Sequence, residues 1–365
     1  MRIALVNTIK PVKGSGSGVV EYAYQLYENI RRSNDVDVVY ALDSPKRNDL
    51  TGLVYANTLF RAKAKRLIGG NYDIVHITDH ELGFVAKMLH GNTKAKVITT
   101  VHDLARFDKG MHKGILQKSY NGLVKRNVRS ALEFSDAILF NSSQTLDEVR
   151  RLFWLPREYR VTNLGVKDSV LQRRSAPGRK LVHDREFRVG YVGSLAYHKN
   201  VIMILKTAGI IKDRSAYKFL VYGTGIGYKA LSDYKNRHRL KNVEFMGFAQ
   251  ESRMAQIYDR FDAFVFPSLH EGFGIPILEA QARGLPVIIY KYGKIPKEVR
   301  TYCLEAEDAE GAARIIRGLR EHGYDEKLRK KATAYARSFR WSKTARATLE
   351  VYREVLRAAQ AVKQG

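Results

Sequence analysis

Along the chain, short runs of β-branched and aliphatic residues alternate with longer stretches in which apolar positions recur at helical spacing. Runs that are apolar on both faces suit strands buried between helices, so the alternation predicts parallel sheets covered by helices. In the first half the predicted strands are Ile3 to Val6, Val36 to Tyr40, Ile74 to Ile77, Val97 to Thr100 and Ala137 to Phe140. Between Val166 and Arg188 the pattern dissolves into VKDSVLQRRSAPGRKLVHDREFR, rich in charge and carrying a Pro-Gly pair. The rhythm restarts with Val189 to Val192, Phe219 to Tyr222, Val243 to Phe245, Ala263 to Phe266 and Val287 to Tyr290. The expectation is a duplicated α/β architecture, with domains over 1–170 and 189–341 and a linker over 171–188. Open α/β sheets bind ligands beyond the carboxyl ends of their strands, so two such domains face to face would put a cleft between them.

A length of 365 residues supports two cores, and 45% hydrophobic content with 10% aromatics argues against disorder. The single cysteine, Cys303, excludes an intramolecular disulfide and a Cys-based zinc cluster, which fits a reducing compartment. The opening MRIALVN is too short for a signal peptide and reads as a buried first strand. No stretch approaches the roughly 18 to 20 apolar residues that cross a bilayer. The expected location is the cytoplasm.

The formal charge of +26 implies an acidic partner, whether nucleic acid, an anionic membrane or a phosphorylated substrate, and chooses none of them. No RNP-like strand, zinc finger or basic zipper accompanies it, so nucleic acid is not the expected partner. Two basic stretches, Leu59 to Ile68 (LFRAKAKRLI) and Lys109 to Arg129, are amphipathic. They read either as solvated helix faces or as surfaces for anionic lipid on the inner face of a membrane.

Candidate chemistry follows the strands. Gly14, Gly16 and Gly18 come after the first strand, and Gly223, Gly225 and Gly227 after a strand of the second half. Bare glycines there let backbone amides approach an anion at a helix N-terminus, and a flexible turn is the other reading. Neither loop has the G-x-G-x-x-G spacing, which argues against a dinucleotide-dependent oxidoreductase. The most informative stretch is DAFVFPSLHEGFGIPILEAQARGLPVI, residues 262–288, joining a buried strand, a glycine turn and a helix. Glu271 closes the turn and Glu279 lies two helical turns on, bracketing amides that form an anion pocket at the helix start. Carboxylates accept hydrogen bonds from sugar hydroxyls while such amides hold phosphate. The D-x-D at Asp35-Val36-Asp37 opens a strand with no sugar-binding context, and the scattered histidines show no ligand spacing, so no metal is expected. His76 and His80, near a strand end, are candidates to touch an acceptor.

The 262–288 segment resembles the E-x7-E signature of the GT4 family of retaining glycosyltransferases, and the likeness covers nearly the whole chain. Val192 to Asn200 (VGSLAYHKN) resembles that family's phosphate-binding loop, and NVEFMGF at 242–248 its base-side strand and loop. TVHDL at 100–104 resembles its first-domain histidine motif, and FRWSKTARATLEVYREVL from Phe339 the helix that returns to the first domain, here about 342–360. The resemblance implies a GT-B fold of two Rossmann-like domains and transfer of a hexose-type sugar from a nucleoside diphosphate sugar, with UDP and GDP both open. It makes Glu279 the ribose-binding carboxylate and puts Glu271, with the amides of Gly272, Phe273, Gly274 and Ile275, beside the donor sugar. Lys199 would neutralise the diphosphate and His102 would meet the transferred sugar. Gly16, Ser194 and Gly223 fall to the donor site too, and Phe248 to the base pocket. It further implies no cofactor and an acceptor among lipid-linked saccharides, glycolipids and other glycans. One departure stands out: many relatives carry an arginine near the loop lysine, where this chain has Ser194, Tyr197 and His198. A nucleotide-sugar epimerase remains the alternative, since glycine loops and carboxylates alone do not separate the two.

Overall fold

A computed structural model describes residues 1–12, 17–42, 50–107, 115–172, 185–211 and 213–364. The chain forms two compact units, one of Met1–Gly165 with Trp341–Gly365 and the other of Val166–Arg340. The first unit thus stops short of the expected boundary at 170, and Val166 to Gln172 lie with the second.

In the first unit the strands are β1 (Arg2–Ile9), β2 (Asp35–Leu42), β3 (Ile74–Ile77), β4 (Lys96–Val101), β5 (Ala137–Phe140) and β6 (Tyr159–Val161). Five described helices connect them: α1 (Gly18–Ile30), α2 (Leu50–Gly69), α3 (Phe84–Leu89), α4 (Ile115–Phe134) and α5 (Ser143–Leu152). All pairs are parallel, in the order β2-β1-β3-β4-β5-β6. The central strands are buried on both faces because helices cover both, which is why β5 reads as an unbroken apolar run and β3 is apolar but for His76. One core cluster packs Phe60, Ala64 and Leu67 of α2 against Val75 and Ile77, and a second packs Val124, Val128 and Ala131 of α4 against Ile138 and Phe140.

The second unit opens with α6 (Asp168–Leu171) and continues with β7 (Phe187–Val192), α7 (Val201–Ile210), β8 (Tyr217–Tyr222), α8 (Tyr228–Arg237) and β9 (Val243–Gly247). Then follow α9 (Met254–Asp259), β10 (Ala263–Phe266), α10 (Ile275–Ala282), β11 (Val287–Tyr290), α11 (Lys297–Arg300), β12 (Leu304–Ala306), α12 (Ala309–His322) and α13 (Glu326–Arg337). Its sheet is parallel in the order β12-β11-β10-β7-β8-β9. The last helix, α14 (Trp341–Gln364), belongs to the first unit, where it packs on α1.

Two strands escape the sequence pattern. β6 and β12 are three-residue edge strands, and their exposed positions leave no apolar run to read.

Each sheet has a point at which the chain reverses its direction of growth. In the first it lies between β1 and β3, in the second between β7 and β10. Open α/β sheets bind ligands beyond the carboxyl ends of the strands at such a point.

Candidate active site

In the second unit the loops after β7 and β10 meet at the reversal point. The first makes a tight turn at Tyr197–Lys199, and Asn200, in the left-handed region at φ 52°, ends the turn and starts α7. Asparagine tolerates that conformation better than most side chains. Its amide donates to the Pro267 carbonyl at 3.2 Å, and the Leu269 amide donates to the His198 carbonyl at 2.8 Å. These bonds hold the two loops together, and across them the Lys199 ammonium donates to both carboxylate oxygens of Glu271, at 2.7 and 2.9 Å.

The β10 loop then turns into α10. Gly274 caps the helix at φ 97°, a conformation that disfavours any side chain, and Pro276 sits in the first turn, where a missing amide hydrogen costs nothing. The side chain of Phe273 is buried against Phe339, so only its backbone faces the loop. On α10, Glu279 is buried and accepts a hydrogen bond from the Tyr258 hydroxyl at 2.8 Å. Tyr258 comes from α9, an element that carried no signal for function.

Glycine in the FLVYGTGIG loop has a packing cause. A Cβ on Gly223 would lie 1.8 Å from the Gly193 carbonyl oxygen, and one on Gly227 would lie 2.2 Å from that of Leu195. The loops after β7 and β8 therefore stack backbone on backbone, joined by Leu195 N to Thr224 O at 2.9 Å and Gly227 N to Leu195 O at 2.9 Å. Ser194 on this layer is exposed, with its carbonyl accepting from the Tyr191 hydroxyl at 2.8 Å. Beyond β9, Phe248 stands 54% exposed.

In the first unit the loops after β3 and β4 carry the polar groups. His102 is buried and its Nε2 donates to the Thr78 carbonyl at 2.7 Å, since a carbonyl can only accept. Burial holds the imidazole pKa below its ordinary value, although the Thr78 bond pulls the other way. The ring of Tyr22 stands edge-on to it at 4.9 Å. Asp79 accepts from Thr8 at 2.5 Å and caps the next turn through the Glu81 amide at 3.0 Å. Glu81 in turn accepts from Arg106 at 2.8 Å and from Tyr120 at 3.0 Å. Burial, then the charge of Asp79, pushes its carboxyl up to about 7. Sequence reasoning missed this Asp79, Glu81, Arg106 cluster. Its signal was the placement of TDHEL after a strand, matching TVHDL at His102.

Three expectations need correction or limits. His76 does not reach an acceptor in this fold: it is fully buried within β3, its Nδ1 bonded to the Tyr352 hydroxyl at 2.6 Å and its Nε2 to Thr100 at 2.7 Å. The apolar halves of the basic stretches are core, with Phe60, Ala64 and Leu67 of α2 and Val124 and Val128 of α4 buried. Arg61, Lys65, Arg66, Lys118, Lys125, Arg126 and Arg129 are left outward, so these positions present charge and not apolar surface. Gly14, Gly16 and residues 109–114 lie outside the described residues. The D-x-D pair is engaged elsewhere: Arg2 contacts Asp35 at 3.6 Å and Asp37 at 3.5 Å, and Tyr72 donates to Asp37 at 2.8 Å. Among the described residues no helix is long and apolar enough to cross a membrane.

Two six-stranded parallel sheets, each with a reversal point, give the chain the α/β fold of the GT-B class. The chain matches the family model for glycosyl transferases group 1 over residues 173–339 and that for glycosyltransferase family 4 over residues 16–170. It belongs to the GT4-type glycosyltransferases. It is 26% identical over 392 residues to an uncharacterized glycosyltransferase of Methanocaldococcus jannaschii, covering 97% of this chain and 98% of the relative. Sucrose-phosphate synthase from Thermosynechococcus elongatus superposes with a TM-score of 0.79 at 19% identity, over 98% of this chain and 100% of that one. HepE of Anabaena, solved with UDP-glucose, gives 0.75 at 15% identity, over 97% and 100%.

Proposed function

We propose that this glycosyltransferase takes a hexose-type sugar from a nucleoside diphosphate sugar and transfers it with retention of anomeric configuration, without a metal. The observation that carries this reading is the Lys199–Glu271 contact at the β7/β10 reversal point, one loop away from buried Glu279. Glu279 is the ribose carboxylate. Glu271 and the amides of Gly272, Phe273, Gly274 and Ile275 take the donor sugar, with Gly16, Ser194 and Gly223 also assigned to the donor. Lys199 neutralises the diphosphate, Phe248 stacks on the base, and His102 is assigned to the transferred sugar. Negative charge grows on the departing diphosphate, and a fixed ammonium with helix-start amides stabilises it without reorganisation. Retention by two displacements needs a carboxylate nucleophile at the anomeric carbon. The motif resemblance instead favours transfer on one face, with the leaving phosphate oxygen taking the acceptor's proton.

The acceptor class we favour is a lipid-linked saccharide or glycolipid at the inner face of a membrane, held near by the outward basic rows of α2 and α4. Calorimetry against UDP, GDP, ADP, dTDP and their common sugars, with and without EDTA, tests the donor assignment. Selective binding by one nucleotide, unchanged by EDTA, is expected; binding lost with EDTA overturns the metal-free reading. NMR of early product should show the retained anomer, an inverted one overturns the reading, and conversion of donor without acceptor would instead reveal an epimerase.

A further inference from the structure

Glu279 is a flexible side chain asked to hold a fixed acceptor in a dry place. A buried carboxylate is costly unless hydrogen bonds replace water, and a long side chain loses rotamer freedom when held. The Tyr258 hydroxyl meets the first need with a bond of 2.8 Å to Oε2. Its ring meets the second, because it is fully buried and cannot shift: Phe261 stands edge-on at 6.2 Å and 88°, and Phe264 at 5.5 Å and 61°. The backbone that carries it is also tied to the helix that carries Glu279. Arg283, at the end of α10, donates from Nε to Asp259 at 3.0 Å, next to Tyr258, and pairs with the same carboxylate through Nη2. Arg283 further bonds the Gln172 carbonyl at 2.7 Å, so α6, α9 and α10 are pinned at one side chain. Burial, then the Glu279 charge, raises the Tyr258 hydroxyl well above its ordinary pKa, and it stays a donor throughout the neutral range.

We infer that Tyr258 is a positioning residue for donor recognition: it fixes the rotation of the Glu279 carboxylate so that the ribose hydroxyls of a nucleoside diphosphate are selected over deoxyribose. This rests on the ribose reading of Glu279. A carboxylate offers about four lone-pair directions, so one held by Tyr258 is compatible with ribose hydroxyls taking others. Fixing the plane decides which directions they meet. A site built to bond a hydroxyl rejects the analogue that lacks it far better than an apolar site does.

The test is isothermal titration of the full chain, as wild type, Tyr258→Phe and Glu279→Gln, with UDP and GDP and their 2′,3′-dideoxy counterparts. In Tyr258→Phe the affinity for the ribonucleotide should fall about five- to tenfold, the scale of one lost hydrogen bond. Affinity for the dideoxynucleotide should hold within about twofold. A merely structural role for Tyr258 would weaken both nucleotides alike, and that result, or no loss at all, overturns the inference. Glu279→Gln separates the two failures. If it abolishes the ribose preference while Tyr258→Phe keeps it, only the role of Tyr258 is lost; if it too keeps the wild-type preference, the ribose reading of Glu279 falls and this inference with it.

Discussion

The ammonium of Lys199 lies within 3 Å of both carboxylate oxygens of Glu271, and neither side chain is more than 18% exposed. Two opposite charges removed from water must find partners, and here each finds the other across the sheet's reversal point. On the proposed assignment, a donor diphosphate arriving at Lys199 would compete directly with Glu271, which would then be available to sugar hydroxyls.

Lys199→Ala follows from this in two measurements. Removing a single group that stabilises departing charge typically lowers kcat by about 10²–10³-fold, and the donor KM should move by less than about tenfold. The melting temperature should also fall, because Glu271 is left buried without its counter-ion. A raised donor KM with kcat unchanged would instead assign Lys199 to binding the ground state and transition state alike.

What the sequence shows and what it hides differ by distance along the chain. Glu271, Gly274 and Glu279 sit in one contiguous window in which strand, turn and helix follow one another, so their relation is readable from spacing. Lys199 is 72 residues from its partner, and only the resemblance brought the two together. Tyr258 lies in an ordinary amphipathic helix, and nothing local marks it as the tyrosine that bonds Glu279. His76 was misread because a strand end looks alike whether solvent or a returning helix covers it; its partner Tyr352 is 276 residues away. For the basic stretches, spacing shows that they are amphipathic but not what covers the apolar half, which in the structure is the core.

Gly223→Ala should disable the donor loop without touching a charged group. The new methyl would sit 1.8 Å from the Gly193 carbonyl oxygen, at a φ of 150° that L side chains rarely adopt. Either the loop after β7 or that after β8 must move, at a cost of roughly 1–3 kcal/mol. Nucleotide affinity and melting temperature should fall together in calorimetry. A variant with wild-type values would show that the two loops slide freely past one another.

Acid should destabilise the first unit before the second. Burial holds His76 at about 3 and His80 at about 4, against an ordinary 6.5. Below pH 6.5 the unfolded chain therefore takes up two protons that the folded chain refuses, and stability is lost as pH falls. Glu81 acts in the opposite sense. Raised to about 7 from an ordinary 4.5, it is protonated in the folded chain first, so between those values acid favours the fold. His102, also lowered, adds to the loss. Near pH 5 the net slope is about one proton, about 1.4 kcal/mol per pH unit, and it is shallower toward pH 6.5, where the unfolded histidines are only half charged and Glu81 offsets most of their uptake. Urea melts followed across that range give the slope, and His76→Gln should flatten it by about one proton.

Tyr352→Phe probes the returning helix by a single oxygen. The hydroxyl bonds His76 at 2.6 Å, His76 reaches Thr100 at 2.7 Å, and Thr100 meets Tyr22 at 3.0 Å, all four side chains fully buried. The chain of contacts links α14 through β3 and β4 to α1, whose Tyr22 stands edge-on to His102. Deleting the hydroxyl leaves one ring nitrogen of His76 unpaired in a site too small for bulk water, a loss of about 1–3 kcal/mol. Hydrogen exchange should then rise in β3, β4 and α14, and leave β7 to β12 at wild-type protection, because those strands belong to the other unit. His76→Phe combined with Tyr352→Phe removes donor and acceptor together and should recover part of the loss. Recovery would identify the unpaired nitrogen as the cause. No recovery would assign the loss to packing around α14.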